Sequence, residues 1–172
     1  MIYTFKTIIE NLGKSTSLAL GDKIFLKENI HDVYIQCSVL SALTFSEVNF
    51  KRVDFTGSRF FNCEFKNCNL KDTQIRKCEF WNSTFENCKI QESNLTRSNF
   101  NKGGFKNCVF TNVDLSAADF SNFEFIETTF KNSKLDFIAV DCIKILKAKQ
   151  FVKIEESLTF EEIMKKMNLI ID

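Results

Sequence analysis

The groups in this chain best suited to chemistry are seven cysteines and a single histidine, His31. Cys63 and Cys68, separated by four residues, followed by Cys78, Cys88 and Cys108, raise the possibility of a thiolate metal centre or a disulfide set. The spacing argues against both. There is no Cys-x-x-Cys and no Cys/His ligand pair, and these five cysteines share one phase of a short repeat in which Ser and Thr also occur. Free Cys packs at such positions as a small hydrophobe. Cys37 and Cys142 lie outside that phase and receive no role. Gly-x-Ser-x-Gly, a phosphate-binding glycine loop and His-Glu-x-x-His are all missing from the sequence. No catalytic, cofactor or metal site is therefore expected, and the chain reads as non-enzymatic.

What positions these residues is a period of five. Every fifth residue from Leu20 to Ile145 is apolar, 26 positions in all, and 14 of them are Phe. With 44% hydrophobic residues overall, about eleven matches would arise by chance. Two residues earlier runs a second stripe, from Ser58 to Ser133, that is small or mid-sized throughout except at Phe123. The other three positions are mostly polar, and Asn recurs two residues after the central one, as at Asn62, Asn67, Asn82 and Asn87. Neither a helical period of 3.6 nor a strand period of 2 produces this pattern. A coil does, if each repeat turns one large and one small residue inward and three outward. The small residue is expected to make room for the corner, since the chain has no Pro and only 5 Gly.

The outward positions carry the candidate sites. Phe61 and Trp81 each follow a central residue and are 20 residues apart, so they are expected to stack as an exposed aromatic pair. Ile126 and Phe137 are also expected outward, with the C-terminal segment as their cover. Between Asn107 and Thr129 there is no Lys or Arg, but Asp114, Asp119, Glu124 and Glu127 are present. Asp114, Asp119 and Glu124 precede consecutive central residues and should wind around one coil. Lys51, Arg52, Lys71, Arg76, Lys77 and Arg97 make a basic half upstream, and such a dipolar rod can steer a charged partner. The net charge of +1 gives no global attraction to nucleic acid or membrane. No apolar run is long enough to span a bilayer, and the residues Met1 to Lys6 have no signal-peptide layout, so a cytoplasmic location is the default expectation.

The repeat resembles the pentapeptide-repeat family, whose consensus Ala-(Asp/Asn)-Leu-x-x is nearly matched by Ala118-Asp119-Phe120-Ser121-Asn122. The resemblance implies an all-β fold, a right-handed quadrilateral β-helix with 20 residues per coil. Residues 18–147 would form the β-helix, 1–17 an N-terminal cap in which Ile8, Ile9 and Leu12 cover the first coil, and 148–172 a C-terminal helix and strand. Thr159 and Glu162 form a capping-box pattern opening that helix, and Leu169-Ile170-Ile171 reads as the strand. This ending is similar to that of the Qnr-type, MfpA-type and McbG-type topoisomerase-protecting subgroup. That similarity implies a homodimer joined through Phe160, Ile163, Met164, Met167 and Ile170. It also implies a DNA-like acidic surface at Asp114, Asp119, Glu124 and Glu127, and DNA gyrase or topoisomerase IV as partner, protected from a quinolone or a peptide poison. The alternative is a protein-binding scaffold or toxin-neutralising immunity protein working through Phe61 and Trp81. Neither reading involves a cofactor, direct contact with nucleic acid, or a membrane.

Overall fold

The computed structural model describes residues 4–12, 17–147, 150–153, 159–166 and 170–171. From Leu18 the backbone winds into a four-sided β-solenoid in which each residue lies beside the one 20 positions further on. The register Phe60↔Phe80 and Phe80↔Phe100 is typical. The first face is centred on Phe60, Phe80, Phe100 and Phe120, and the second on Phe65, Phe85, Phe105 and Phe125. Together they form one sheet, parallel except for Gln150–Lys153, which returns antiparallel along Lys144–Lys147. The third face is a separate parallel sheet through Phe50, Leu70, Ile90, Phe110 and Phe130, extended by Ile170–Ile171. The fourth is held by isolated bridges linking Asp54, Gln74, Asn94, Asp114 and Lys134.

The central residues fill the tube. All of them are buried except Leu20 and Val140, near the two ends, which are half-buried. Between coils their rings stack nearly parallel, Phe60 on Phe80 at 4.5 Å and Phe65 on Phe85 at 4.4 Å between centroids. Within a coil they meet edge to face, as Phe55 and Phe60 do at 5.5 Å and 70°. Each such pair adds about 0.5–1.5 kcal/mol to what area burial supplies.

The corner is made differently from the sequence-based expectation. Along the solenoid, the residue two after each central one has a left-handed backbone, from Asp22 (φ 53°) to Cys142 (φ 50°). Asn is favoured there because its short polar side chain tolerates this conformation, in which other side chains cost roughly 1–2 kcal/mol. Few glycines are needed because Asn fills eight of these corners, and the packed stack holds the remaining residues in place.

The small inward stripe is also more than a matter of size. Its backbone N–H points toward the core and needs an acceptor. In several coils that acceptor is the hydroxyl 20 residues on. The Cys63 amide donates to Ser83 Oγ at 3.1 Å and the Thr73 amide to Ser93 Oγ at 3.0 Å. Side chains of this stripe also donate back to the carbonyl of a central residue, Ser58 Oγ to Ile35 O at 2.7 Å and Cys88 Sγ to Phe65 O at 3.3 Å. Ser, Thr and Cys recur here because they are compact and carry a donor.

Helices close both ends. In α1 (Phe5–Leu12) the Thr4 hydroxyl accepts the Thr7 amide, while the Glu28 carboxylate takes the amides of Phe5 and Lys6. Phe5 is fully buried against Phe25 and Phe45, at 4.9 and 5.1 Å, and is the principal cap residue; Ile9 is buried and Ile8 half-buried beside it. The cap expected of Leu12 concerns a side chain outside the described residues. At the other end Thr159 and Glu162 form the expected capping box, the Thr159 amide donating to Glu162 Oε2 at 2.8 Å and the Glu162 amide to Thr159 Oγ1 at 3.3 Å. From α2 (Phe160–Lys166), Phe160 reaches Phe125 at 5.3 Å and Phe120 at 5.8 Å, sealing the last coils together with the buried Met164.

Candidate binding surface

Strand geometry puts alternate residues outward, so the strands Arg59–Phe61 and Glu79–Trp81 display Arg59, Phe61, Glu79 and Trp81 on the first face. Phe61 and Trp81 are in register as expected, Phe61 half-buried and Trp81 46% exposed. The Lys102 ammonium lies 5.4 Å from the Trp81 ring centre, within cation–π range. Sequence reasoning passed over Lys102 because it lies one coil on and at a corner, outside both the aromatic column and the basic run.

The acidic residues wind across consecutive faces as expected, and structural contacts engage them. Asp114 Oδ1 accepts the Ser116 amide at 2.9 Å, a turn that Asp54 and Asn94 repeat with Thr56 and Thr96. Asp119 Oδ1 accepts the Ser121 hydroxyl at 3.1 Å. Glu124 pairs with Lys144 at 3.2 Å. Glu127 is exposed at the next corner.

The basic half separates into two groups. Lys51, Arg52 and Lys71 belong to the third face, where Arg52 clasps Asp32 through two nitrogens at 2.6 and 2.8 Å and Lys71 meets Glu92 at 3.4 Å. The Arg52 guanidinium and His31 hold the Asp32 carboxyl well below the usual carboxylate range. Arg76, Lys77 and Arg97 lie instead at the corner between the fourth and first faces.

Ile126 is half-buried, whereas Phe137 is 91% exposed, so among the described residues nothing covers Phe137. Its φ of 56° adds backbone cost to the exposed ring. Cys63, Cys68, Cys78, Cys88 and Cys108 are buried free thiols, and Cys37 and Cys142 are exposed. Burial pushes the Cys63 thiol up to about 11 and the Cys78 thiol up to about 12. Among the described residues no group of three His, Cys, Asp or Glu side chains could hold a metal ion, and no helix is long and apolar enough to cross a membrane. Of the expected dimer contacts, Phe160 and Met164 are buried within the chain. Met167 and the side chains of Ile163 and Ile170 lie outside the described residues.

Twenty-residue coils with two inward stripes and a left-handed corner every fifth residue define a repeat solenoid whose buried central residues line the interior and whose charged side chains lie on its outer surface. Two family models match, "Pentapeptide repeat region" over residues 58–135 and "Pentapeptide repeats (8 copies)" over residues 35–72. Together they take in more than half of the sequence, and the chain belongs to the pentapeptide-repeat family. Among solved structures it is similar to the pentapeptide repeat protein Rfr23 of the cyanobacterium Cyanothece 51142. That match has 15% identity and a TM-score of 0.35, covering 79% of this chain and 93% of that one. It is also similar to a trypsin-treated form of QnrB1, a plasmid-mediated fluoroquinolone resistance protein, at 11% identity and a TM-score of 0.21, covering 91% and 100%. A third is HetL of Nostoc sp. strain PCC 7120, involved in heterocyst differentiation regulation, at 7% identity and a TM-score of 0.24, covering 82% and 95%. No curated protein sequence matches the chain.

Proposed function

We propose that this protein is a non-enzymatic binding protein that docks on DNA gyrase or topoisomerase IV in place of DNA and protects it from a quinolone or a peptide poison. The observation that carries the reading is the coil bearing Asp114, Asp119 and Glu124 on three successive faces, with Glu127 at the following corner, in a stretch free of Lys and Arg. Carboxylates wound around a straight rod offer a cationic DNA channel something like the phosphate charge of a duplex. Residues 18–147 are the rod in this reading. The segment 148–172 pairs two copies into a homodimer, with Ile163, Met167 and Ile170 as contacts, since Phe160 and Met164 are engaged in the cap. The test is to titrate purified protein into gyrase supercoiling and quinolone-induced cleavage assays. Reduced cleavage is expected, and Asp119→Lys/Glu124→Lys should abolish it. Cleavage that stays unchanged across a wide concentration range rejects the proposal.

A second reading, a protein-binding scaffold or immunity protein, is favoured by the in-register pair Phe61 and Trp81, because Trp is prominent among residues that dominate protein interfaces. In this reading Phe61→Ser/Trp81→Ser abolishes capture of the native partner and leaves the circular dichroism spectrum intact. Unaltered capture rejects it.

A further inference from the structure

We infer that the aromatic face is one half of a docking site for an acidic protein segment, an inference that rests on the scaffold reading above and supplies its missing chemistry. The other half is a cationic frame. Arg59 is next to Phe61 on the same strand, Lys102 covers Trp81, and Arg76 with Lys77 leads into the strand that carries Trp81. Arg97 stacks on Lys77 one coil further on, a separation of about 4.8 Å between backbones.

Like charges in adjacent rungs of a ladder destabilise it, and no ion pair among the described residues relieves them. Arg59, Arg76, Lys77, Arg97 and Lys102 are in no ion pair among the described residues, whereas Lys27, Arg52, Lys66, Lys71 and Lys144 all are. The neighbouring carboxylates do not neutralise the group. Asp54, hydrogen-bonded to Gln36 Nε2 at 2.6 Å and to the Thr56 amide, Glu79, in register with Arg59, and Asp119, in register with Asn99, are three carboxylates against five cations. The ridge that starts with Lys77 and Arg97 continues through Ala117 to the exposed ring of Phe137.

An aromatic anchor framed by arginines on a rigid surface has the composition of an interface hot spot, and charge complementarity makes the incoming segment acidic. Single-stranded nucleic acid fits less well. A base needs an open ring face to stack on, and Lys102 stands over one face of Trp81.

The only tryptophan is therefore a built-in reporter. Poly-L-glutamate is titrated into the full-length protein at low ionic strength, with calorimetry and Trp81 emission read together. Saturable binding with a matching emission change is expected. It should weaken by about tenfold or more in Arg76→Glu/Arg97→Glu and be retained in Lys89→Glu/Lys131→Glu on the third face. No binding, heat without an emission change, or equal loss in both double variants overturns the inference. Tighter binding of oligothymidylate also overturns it and assigns the face to nucleic acid. If Phe61→Ser/Trp81→Ser loses the native partner while Arg76→Glu/Arg97→Glu keeps both partner and poly-L-glutamate, the scaffold reading survives and the acidic segment does not.

Discussion

Phe123 lies in register over Gly103, so the bulky exception in the small stripe sits against the position with no side chain at all. A β-carbon on Gly103 would come within 2.1 Å of Ser83 O and 3.2 Å of Phe123 Cε2. The ring takes that room, meeting Phe105 at 5.0 Å and Phe120 at 5.3 Å, and at this level Phe85 and Phe105 leave the parallel stack and tilt to 58°.

The repeat pattern alone would therefore mislead at residue 103. Ser fits the stripe, yet Gly103→Ser should destabilise the protein by about 1–3 kcal/mol through overpacking. Phe123→Ala should cost about 3–5 kcal/mol by opening a cavity. Urea denaturation of the two single variants and of Gly103→Ser/Phe123→Ala checks the coupling. The double variant should lose less than the sum of its singles only by the part due to the ring, because the approach to the Ser83 backbone oxygen remains.

Phe137 combines solvent exposure with a left-handed backbone, where Asn62, Asn82 and Asn122 occupy corners of the same kind. Phe137→Asn should raise stability by up to about 1 kcal/mol, read as a higher denaturation midpoint. If the ridge is part of the docking surface, the same variant should bind the partner more weakly, the signature of strain kept for function.

Thiol reactivity should divide cleanly. With a thiol-specific chromogenic reagent, Cys37 and Cys142 of the native protein should react promptly, and the five buried cysteines only after denaturation. The pH dependence has a definite sign. Cys63 and Cys78 hold their protons more tightly folded (about 11 and about 12) than unfolded (near 9), so the stabilisation they give is complete below about pH 9 and lost as pH rises through 11–12. Comparing denaturation midpoints at pH 8 and 10.5, Cys63→Ser/Cys78→Ser should fall less steeply than the parent.

The start of α2 is held by the Thr159 side chain. Thr159→Ala removes the acceptor for the Glu162 amide, costing about 1 kcal/mol. Amide exchange should quicken in Phe160–Lys166 and in the coil beneath, around Phe120 and Phe125, and remain unchanged near Phe60. Uniform quickening along the rod would show that α2 is no local cap.

The central residues and the outward register of Phe61 and Trp81 could be read from the sequence because a strict period of five leaves little choice about which way a side chain points. The recurring Asn marked the corner, but the small inward residue was credited with the turn, and a left-handed backbone at Lys77, Arg97 or Phe137 leaves no mark in residue type. Phe5 keeps the period, but the apolar run lapses at Glu10 and Ser15, and only packing shows that the ring covers Phe25. Partners one coil away were equally concealed. The ion pair between Glu124 and Lys144 and the cation over Trp81 both depend on side-chain reach, and the turn anchored by Asp114 depends on a backbone amide.

The central claim is that residues 20 apart in sequence are neighbours in space. A residue-resolved nuclear Overhauser map of isotope-labelled protein tests it directly. The account predicts backbone contacts between residue pairs such as Phe60 and Phe80, Phe80 and Phe100, and Ile90 and Phe110, across strands about 4.8 Å apart. Contacts dominated by residues three and four apart, with none at a separation of 20, would contradict it.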